Sequence, residues 1–247
     1  MSTPTLAGLL DSGIDPAFAP DGGPRRSFLL DGNAEVAGLD DGAPDLIGHG
    51  TALARIVIDA NPGARLAVAR IFIDRVACTP AAAAAGLDWL IGQGVRVVNM
   101  SFGLREDRAV LREACGRAAA AGIILLGAAP ARGPGVYPSS YDGVIRISGD
   151  ARLGPGEIST LGGAQADFGA CPRPLGAEDA NRPAGGASFA VAHVTALALR
   201  FLARDPDANA DSFARHLTST ARFHGPERRG ADNAPPTRLQ GDAPCNH

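Results

Sequence analysis

The chain contains no lysine, and all 23 of its basic residues are arginine. They are scattered, without the clustered stripe or interleaved aromatics that nucleic-acid binding requires, so that class of partner is not expected. Cysteine is scarce too. Cys78, Cys115, Cys171 and Cys245 lie far apart with no C-x-x-C pair, which argues against a zinc site or a disulfide framework and predicts free, mostly buried thiols. No run of about 18 apolar residues occurs, and the start MSTPTLAGLLDSG lacks a basic segment followed by an apolar one. Neither a membrane partner nor a leader is therefore expected.

What is present suffices for a large core: 247 residues, 45% hydrophobic and only 20% charged, within the range of one α/β domain. Short apolar runs at 6–10, 65–72, 95–100, 123–126 and 144–147 alternate with Ala-rich stretches. That alternation is the pattern of βαβ units around a parallel sheet, and runs so evenly apolar fit strands covered on both faces. Helices are predicted from near His49, after the cap and proline Thr79-Pro80, after Asp107, and over 188–203 following Gly185-Gly186. Residues 1–222 are expected to form the domain, and 223–247, rich in Gly, Pro, Arg and Asp, a mobile tail.

Three short segments bear chemistry. Asp11 follows the first apolar run and so falls at the carboxyl edge of the expected sheet, where open α/β sheets keep their sites. Taken alone it also fits a turn former. Gly48-His49-Gly50-Thr51 sets an imidazole in the first turn of a helix, between glycines that permit close approach. In Gly185-Gly186-Ala187-Ser188-Phe189-Ala190 a serine opens a helix, where the dipole and free N–H groups favour a negative oxygen, although a plain N-cap serine fits as well. Together they give the chain order Asp, His, Ser, one of the known orders of a catalytic triad.

With these motifs the chain resembles the subtilisin-like (subtilase) serine peptidases. Asp-Ser-Gly-Ile, Gly-His-Gly-Thr and Gly-Ala-Ser-Phe-Ala resemble the family's three catalytic motifs. The run from Gly94 to Gly103, GVRVVNMSFG, resembles its cleft-lining strand, and the run from Tyr137 to Ile145, YPSSYDGVI, a further family segment. The likeness spans roughly residues 5 to 203. It implies a three-layer α/β fold with a central, mostly parallel sheet flanked by helices. It also implies a serine endopeptidase: Ser188 as nucleophile, His49 as base, and Asp11 orienting the imidazole. Ser101, Phe102 and Gly103 would line the substrate cleft, opposite Ala129, Pro130 and Ala131. His193, one turn beyond Ser188, reads as a packing residue. An ester hydrolase of the G-x-S-x-G kind would need another motif and another order.

The resemblance breaks at one place. Where the family carries an asparagine whose amide donates to the oxyanion, this chain has GIILLGAAPA, with Ala131 at the asparagine's position and Pro130 at a glycine's. A slow or narrowly specific peptidase is expected, and an impaired, peptide-binding relative is the alternative. Small apolar cleft walls imply an uncharged residue before the cleaved bond. No cofactor or metal is expected: some relatives bind Ca²⁺, but no acidic loop of that spacing stands out, and Asp40-Asp41 reads as a solvated turn. Because Met1 lies five residues before the first strand, a chain that folds unaided in the cytoplasm is expected, a secreted mature chain being the alternative. The partner is a peptide or protein, and the oligomeric state is left open. One substitute donor is Arg132, beside the missing amide. If it serves, Arg132→Ala lowers kcat/KM, and an unchanged value excludes it.

Overall fold

The computed structural model describes residues 5–18, 23–30, 36–39, 43–176 and 186–227. Its frame is one ten-stranded sheet. Strands β1 (Leu6–Asp11), β2 (Arg25–Leu30) and β3 (Val36–Leu39) come first, before helix α1 (His49–Ala60) and strand β4 (Arg65–Arg70). Next are α2 (Pro80–Gly92), β5 (Val97–Met100), α3 (Ala109–Ala120), β6 (Ile124–Ala128) and β7 (Val144–Gly149). The chain continues through β8 (Ile158–Thr160), β9 (Phe168–Ala170), α4 (Ala187–Arg204), α5 (Ala210–Ser219) and β10 (Phe223–His224). In space the order is β10-β8-β9-β7-β6-β5-β1-β4-β2-β3.

The central run from β7 to β2 is parallel throughout, and among the described strands only the β2/β3 and β8/β9 pairs are antiparallel. Side chains alternate across each strand, so the two sheet faces gather separate cores. Leu9, Val68 and Ile147 join α1, α4 and α5 on one face; Leu10, Val98 and Leu125 join α2 and α3 on the other. Each buried Leu, Ile or Val contributes roughly 1.5–3 kcal/mol, which is why the strands read as continuous apolar runs. This is the expected three-layer α/β fold. By length and composition α4 is apolar enough to cross a membrane, but its inward positions, from Ala190 to Leu202, pack in the core of the domain.

Five expected strands and four expected helices are present, with ends displaced by a few residues. Thr79 caps α2 as expected, its Oγ1 accepting from the Ala82 N–H at 3.1 Å. The expected tail boundary is corrected. Phe223 and His224 pair with Ser159 and Thr160 of β8, and the Gly225 N–H donates to the Thr160 carbonyl at 2.7 Å, so the ordered domain runs past residue 222. Helix α5 was not expected, although Asn209 and Ser212 form a reciprocal capping box ahead of Phe213 and Leu217. Cys115 and Cys171 are buried and Cys78 half-buried, and among the described residues none of the three forms a disulfide. Cys245, Asp40, Asp41, Gly185 and residues 228–247 lie outside the described residues.

Phe213 is fully buried, its ring 5.5 Å from that of Phe201 on α4. Phe213→Ala is expected to cost about 3–5 kcal/mol, seen as a lower urea midpoint at unchanged slope; a loss under about 1 kcal/mol contradicts the assignment of α5 to the core.

Candidate active site

Because β1, β5 and β6 run parallel, their carboxyl ends share one edge of the sheet, which the first turns of α1 and α4 also reach. Asp11, the last residue of β1, is completely buried. Its Oδ1 accepts from the Ser12 N–H at 2.8 Å and from His49 Nδ1 at 2.7 Å. Its Oδ2 has no hydrogen-bond partner among the described residues. A buried carboxylate with so few donors depends on the imidazole beside it for compensation.

Two glycines make that contact possible. Gly48 precedes α1 with φ +84°, in the left-handed region, so the chain turns sharply into His49. A Cβ on Gly50 would lie 2.2 Å from the Gly13 carbonyl oxygen, so only glycine lets α1 sit this close to the end of β1. The Gly50 N–H donates to Ser12 Oγ at 2.8 Å, locking the two segments together.

Asp45, which sequence reasoning passed over, organises the same turn. Its Oδ1 accepts from the N–H groups of Ile47 (3.0 Å) and Gly48 (2.7 Å), and its Oδ2 from the N–H (2.7 Å) and hydroxyl (2.6 Å) of Thr51. Burial pushes its carboxyl up, but the bonds from Thr51 and Gly48 outweigh burial and hold it below the ordinary value. Burial likewise disfavours the His49 cation. The hydrogen bond and charge of Asp11, joined by the charge of Asp45, outweigh that and raise His49 above 6.5.

Ser188 stands in the first turn of α4. Its neighbour Phe189 meets the His49 ring edge-on, centroids 6.2 Å apart, which sets the start of α4 over the imidazole. The Ser188 hydroxyl donates to the Ser101 carbonyl at 3.2 Å, and no hydrogen bond joins it to His49. Below it runs a polar network that the sequence analysis did not single out. Ser101 Oγ donates to Asn99 Oδ1 at 2.6 Å and lies 3.2 Å from the Ser188 carbonyl oxygen; Asn99 Nδ2 donates to Thr195 Oγ1 at 3.2 Å. The signal was an asparagine inside an otherwise apolar strand, Val97-Val98-Asn99-Met100.

Among the remaining expected residues, Phe102 packs edge-on against Phe72 at 6.0 Å, and Gly103 is exposed. The Ala129 N–H donates to the Ile147 carbonyl at 2.8 Å and is thus spent within the sheet. Pro130 has no N–H, and Ala131 is exposed and carries only a methyl group. Arg132 is exposed and makes no hydrogen bond or ion pair among the described residues. His193 Nε2 donates to the Arg173 carbonyl at 3.1 Å, and burial holds its pKa below the ordinary value, so it packs as a neutral side chain. Burial, aided by the charge of Asp11, pushes the Cys78 thiol up to about 12, so this thiol stays protonated. Among the described residues no three His, Cys, Asp or Glu side chains gather as a metal site would need.

A model of the Subtilase family matches residues 4–168, which include Asp11 and His49. The chain belongs to the subtilase family. Ser188 lies beyond the matched residues. Two subtilase relatives cover it more fully. A thermostable alkaline protease of Halalkalibacterium halodurans is 27% identical over 231 residues, 88% of this chain but only 62% of that protein's length. Subtilisin DY of Bacillus licheniformis is 25% identical over 233 residues, covering 87% and 82%. Among solved structures, a protease from Pseudoalteromonas arctica shares the fold with a TM-score of 0.66 at 16% identity, covering 91% of this chain and 88% of the other.

The raised pKa of His49 has a sign that can be checked. The folded chain holds this proton to higher pH than the unfolded chain, so the pair's stabilisation is complete below the unfolded pKa and fades as pH climbs through the folded one. An NMR titration of the His49 ring is expected to place its pKa above 6.5, and Asp45→Asn to lower it. No change on removing the Asp45 charge contradicts its part in the site.

Proposed function

We propose that this subtilase is a serine endopeptidase that works through Asp11, His49 and Ser188, slowly or on few substrates because the oxyanion amide is missing. The observation that carries the proposal is the 2.7 Å bond from His49 Nδ1 to the buried Asp11. It fixes the imidazole tautomer, so that Nε2 is the free, basic nitrogen. For the reaction the Ser188 hydroxyl, which now donates to the Ser101 carbonyl, has to move to another staggered χ1 well and bond that nitrogen.

In the reaction Ser188 Oγ attacks the peptide carbonyl while its proton passes to His49 Nε2, and the imidazolium so formed is stabilised by Asp11. His49 then returns the proton to the leaving amine, and water repeats the sequence on the acyl-enzyme. The developing oxyanion is met by the Ser188 N–H and the positive end of α4. The peptide or protein substrate adds as an extended strand along Ser101, Phe102 and Gly103. A reducing cell interior is proposed as its setting, in keeping with the unpaired Cys78, Cys115 and Cys171.

One observation favours a second reading, an impaired relative that binds peptide without cutting it: the Ser188 hydroxyl rests on Ser101 and Ala131 offers no amide. A fluorophosphonate probe separates the two. The peptidase reading expects wild type to be labelled and Ser188→Ala not; an unlabelled wild type means impairment. Removing a side-chain oxyanion donor costs about 10²–10³ in kcat, a figure that itself comes from a subtilisin. Ala131→Asn is therefore expected to raise kcat, by up to that factor, with KM little changed. No rise overturns the oxyanion explanation.

A further inference from the structure

Three buried polar side chains stand below Ser188, and their chemistry fixes the direction of each hydrogen bond among them. Asn99 and Thr195 are 1% exposed and Ser101 2%, so their protons find acceptors inside the protein. Thr195 belongs to α4, and its Oγ1 lies 2.9 Å from the Val191 carbonyl oxygen one turn earlier. A carbonyl only accepts, so the threonine gives its single proton there. Its oxygen is left able only to accept, and it takes an N–H from Asn99 Nδ2 at 3.2 Å. The asparagine amide is thereby oriented. Its Oδ1 is turned to Ser101 and accepts the Ser101 proton at 2.6 Å.

That orientation decides how Ser101 meets Ser188. The two serines face each other twice: the Ser188 hydroxyl donates to the Ser101 carbonyl at 3.2 Å, and Ser101 Oγ stands 3.2 Å from the Ser188 carbonyl oxygen. Ser101 has one hydroxyl proton to give. While Asn99 Oδ1 accepts it, only the first of these contacts is a bond. With the amide turned over, Nδ2 would face Ser101 Oγ and donate to it, and the Ser101 proton would be donated to the Ser188 carbonyl instead. Both contacts would then be bonds. Ser101 would be drawn against Ser188, with its carbonyl held on the hydroxyl that has to leave it for His49.

We infer that Thr195 is a positioning residue: by orienting the Asn99 amide it keeps the Ser101 proton away from Ser188 and leaves the nucleophile free to move to His49. The inference rests on the peptidase reading and deepens it. Thr195 lies two helical turns beyond Ser188 and acts through Asn99 and Ser101. It carries no charge, so its effect falls on the population of the reactive serine conformer, not on the titration of His49.

The test is the rate at which a fluorophosphonate labels Ser188, measured against probe concentration so that the saturating rate and the half-saturating concentration are separated. Thr195→Val keeps the shape of the side chain and removes the hydroxyl, which lets the amide turn over. Its saturating rate is expected to fall about five- to tenfold, the change in population that one additional ordinary hydrogen bond brings, with the half-saturating concentration within about twofold. Thr195→Ser keeps the hydroxyl and is expected to label as fast as wild type. In a Ser101→Ala background no proton is left to redirect, and Thr195→Val is expected to have no further effect. Where Thr195→Val fails to fold, Thr195→Ala takes its place. An unchanged saturating rate in Thr195→Val, an equal loss in Thr195→Ser, or losses that multiply in the double variant overturns the role of Thr195 and leaves the peptidase reading standing. If wild type itself is not labelled at Ser188, the peptidase reading falls and this inference with it.

Discussion

The carboxylate of Asp11 is fully buried, and the arrangement around it follows from that burial. It is taken out of water at the end of a strand closed in on both sides by β4 and β5, with one oxygen unpartnered among the described residues and the other shared between a backbone N–H and His49. Such a charge is costly unless a cation or strong donor stands beside it. The chain supplies one by resting α1 directly on the end of β1, a packing that only glycine at position 50 permits. Asp45, Ser12 and Thr51 then fix the turn, so that the imidazole has a single place to go.

The same economy links the other half of the site. Helix α4 passes through the core beneath the sheet, and its first turn is joined to the end of β5 through Ser101, Asn99 and Thr195. Position is thus transmitted to Ser188 by a buried polar network rather than by a flexible loop. Beside this rigid arrangement, the segment 129–131 offers an N–H already bonded to the Ile147 carbonyl, a proline and an exposed methyl group.

Most of this fold could be read from the residues, because buried parallel strands such as Val97-Val98-Asn99-Met100 carry little besides apolar side chains. The short outer strands could not: Ile158–Thr160 and Phe168–Ala170 are three residues each, too brief to show a period, and Phe223–His224 is shorter still. Composition around 223 suggests a tail because proline and glycine are frequent there, yet Phe223 and His224 suffice to add a short strand beside β8. Helix α5 was legible in its Asn209 cap and its Phe213 and Leu217 pair and was overlooked. At the site, the motifs named Asp11, His49 and Ser188, but Asp45 and Asn99 act through hydrogen bonds whose partners only the folded chain brings near.

The dependence of His49 on Asp11 is most directly tested by proton NMR of the folded protein. The account predicts one strongly deshielded exchangeable proton on His49 Nδ1, well downfield of the amide region, that shifts as the ring titrates and vanishes in both Asp11→Ala and His49→Ala. A spectrum with no such resonance at any pH, or one in which it survives the loss of Asp11, contradicts the account.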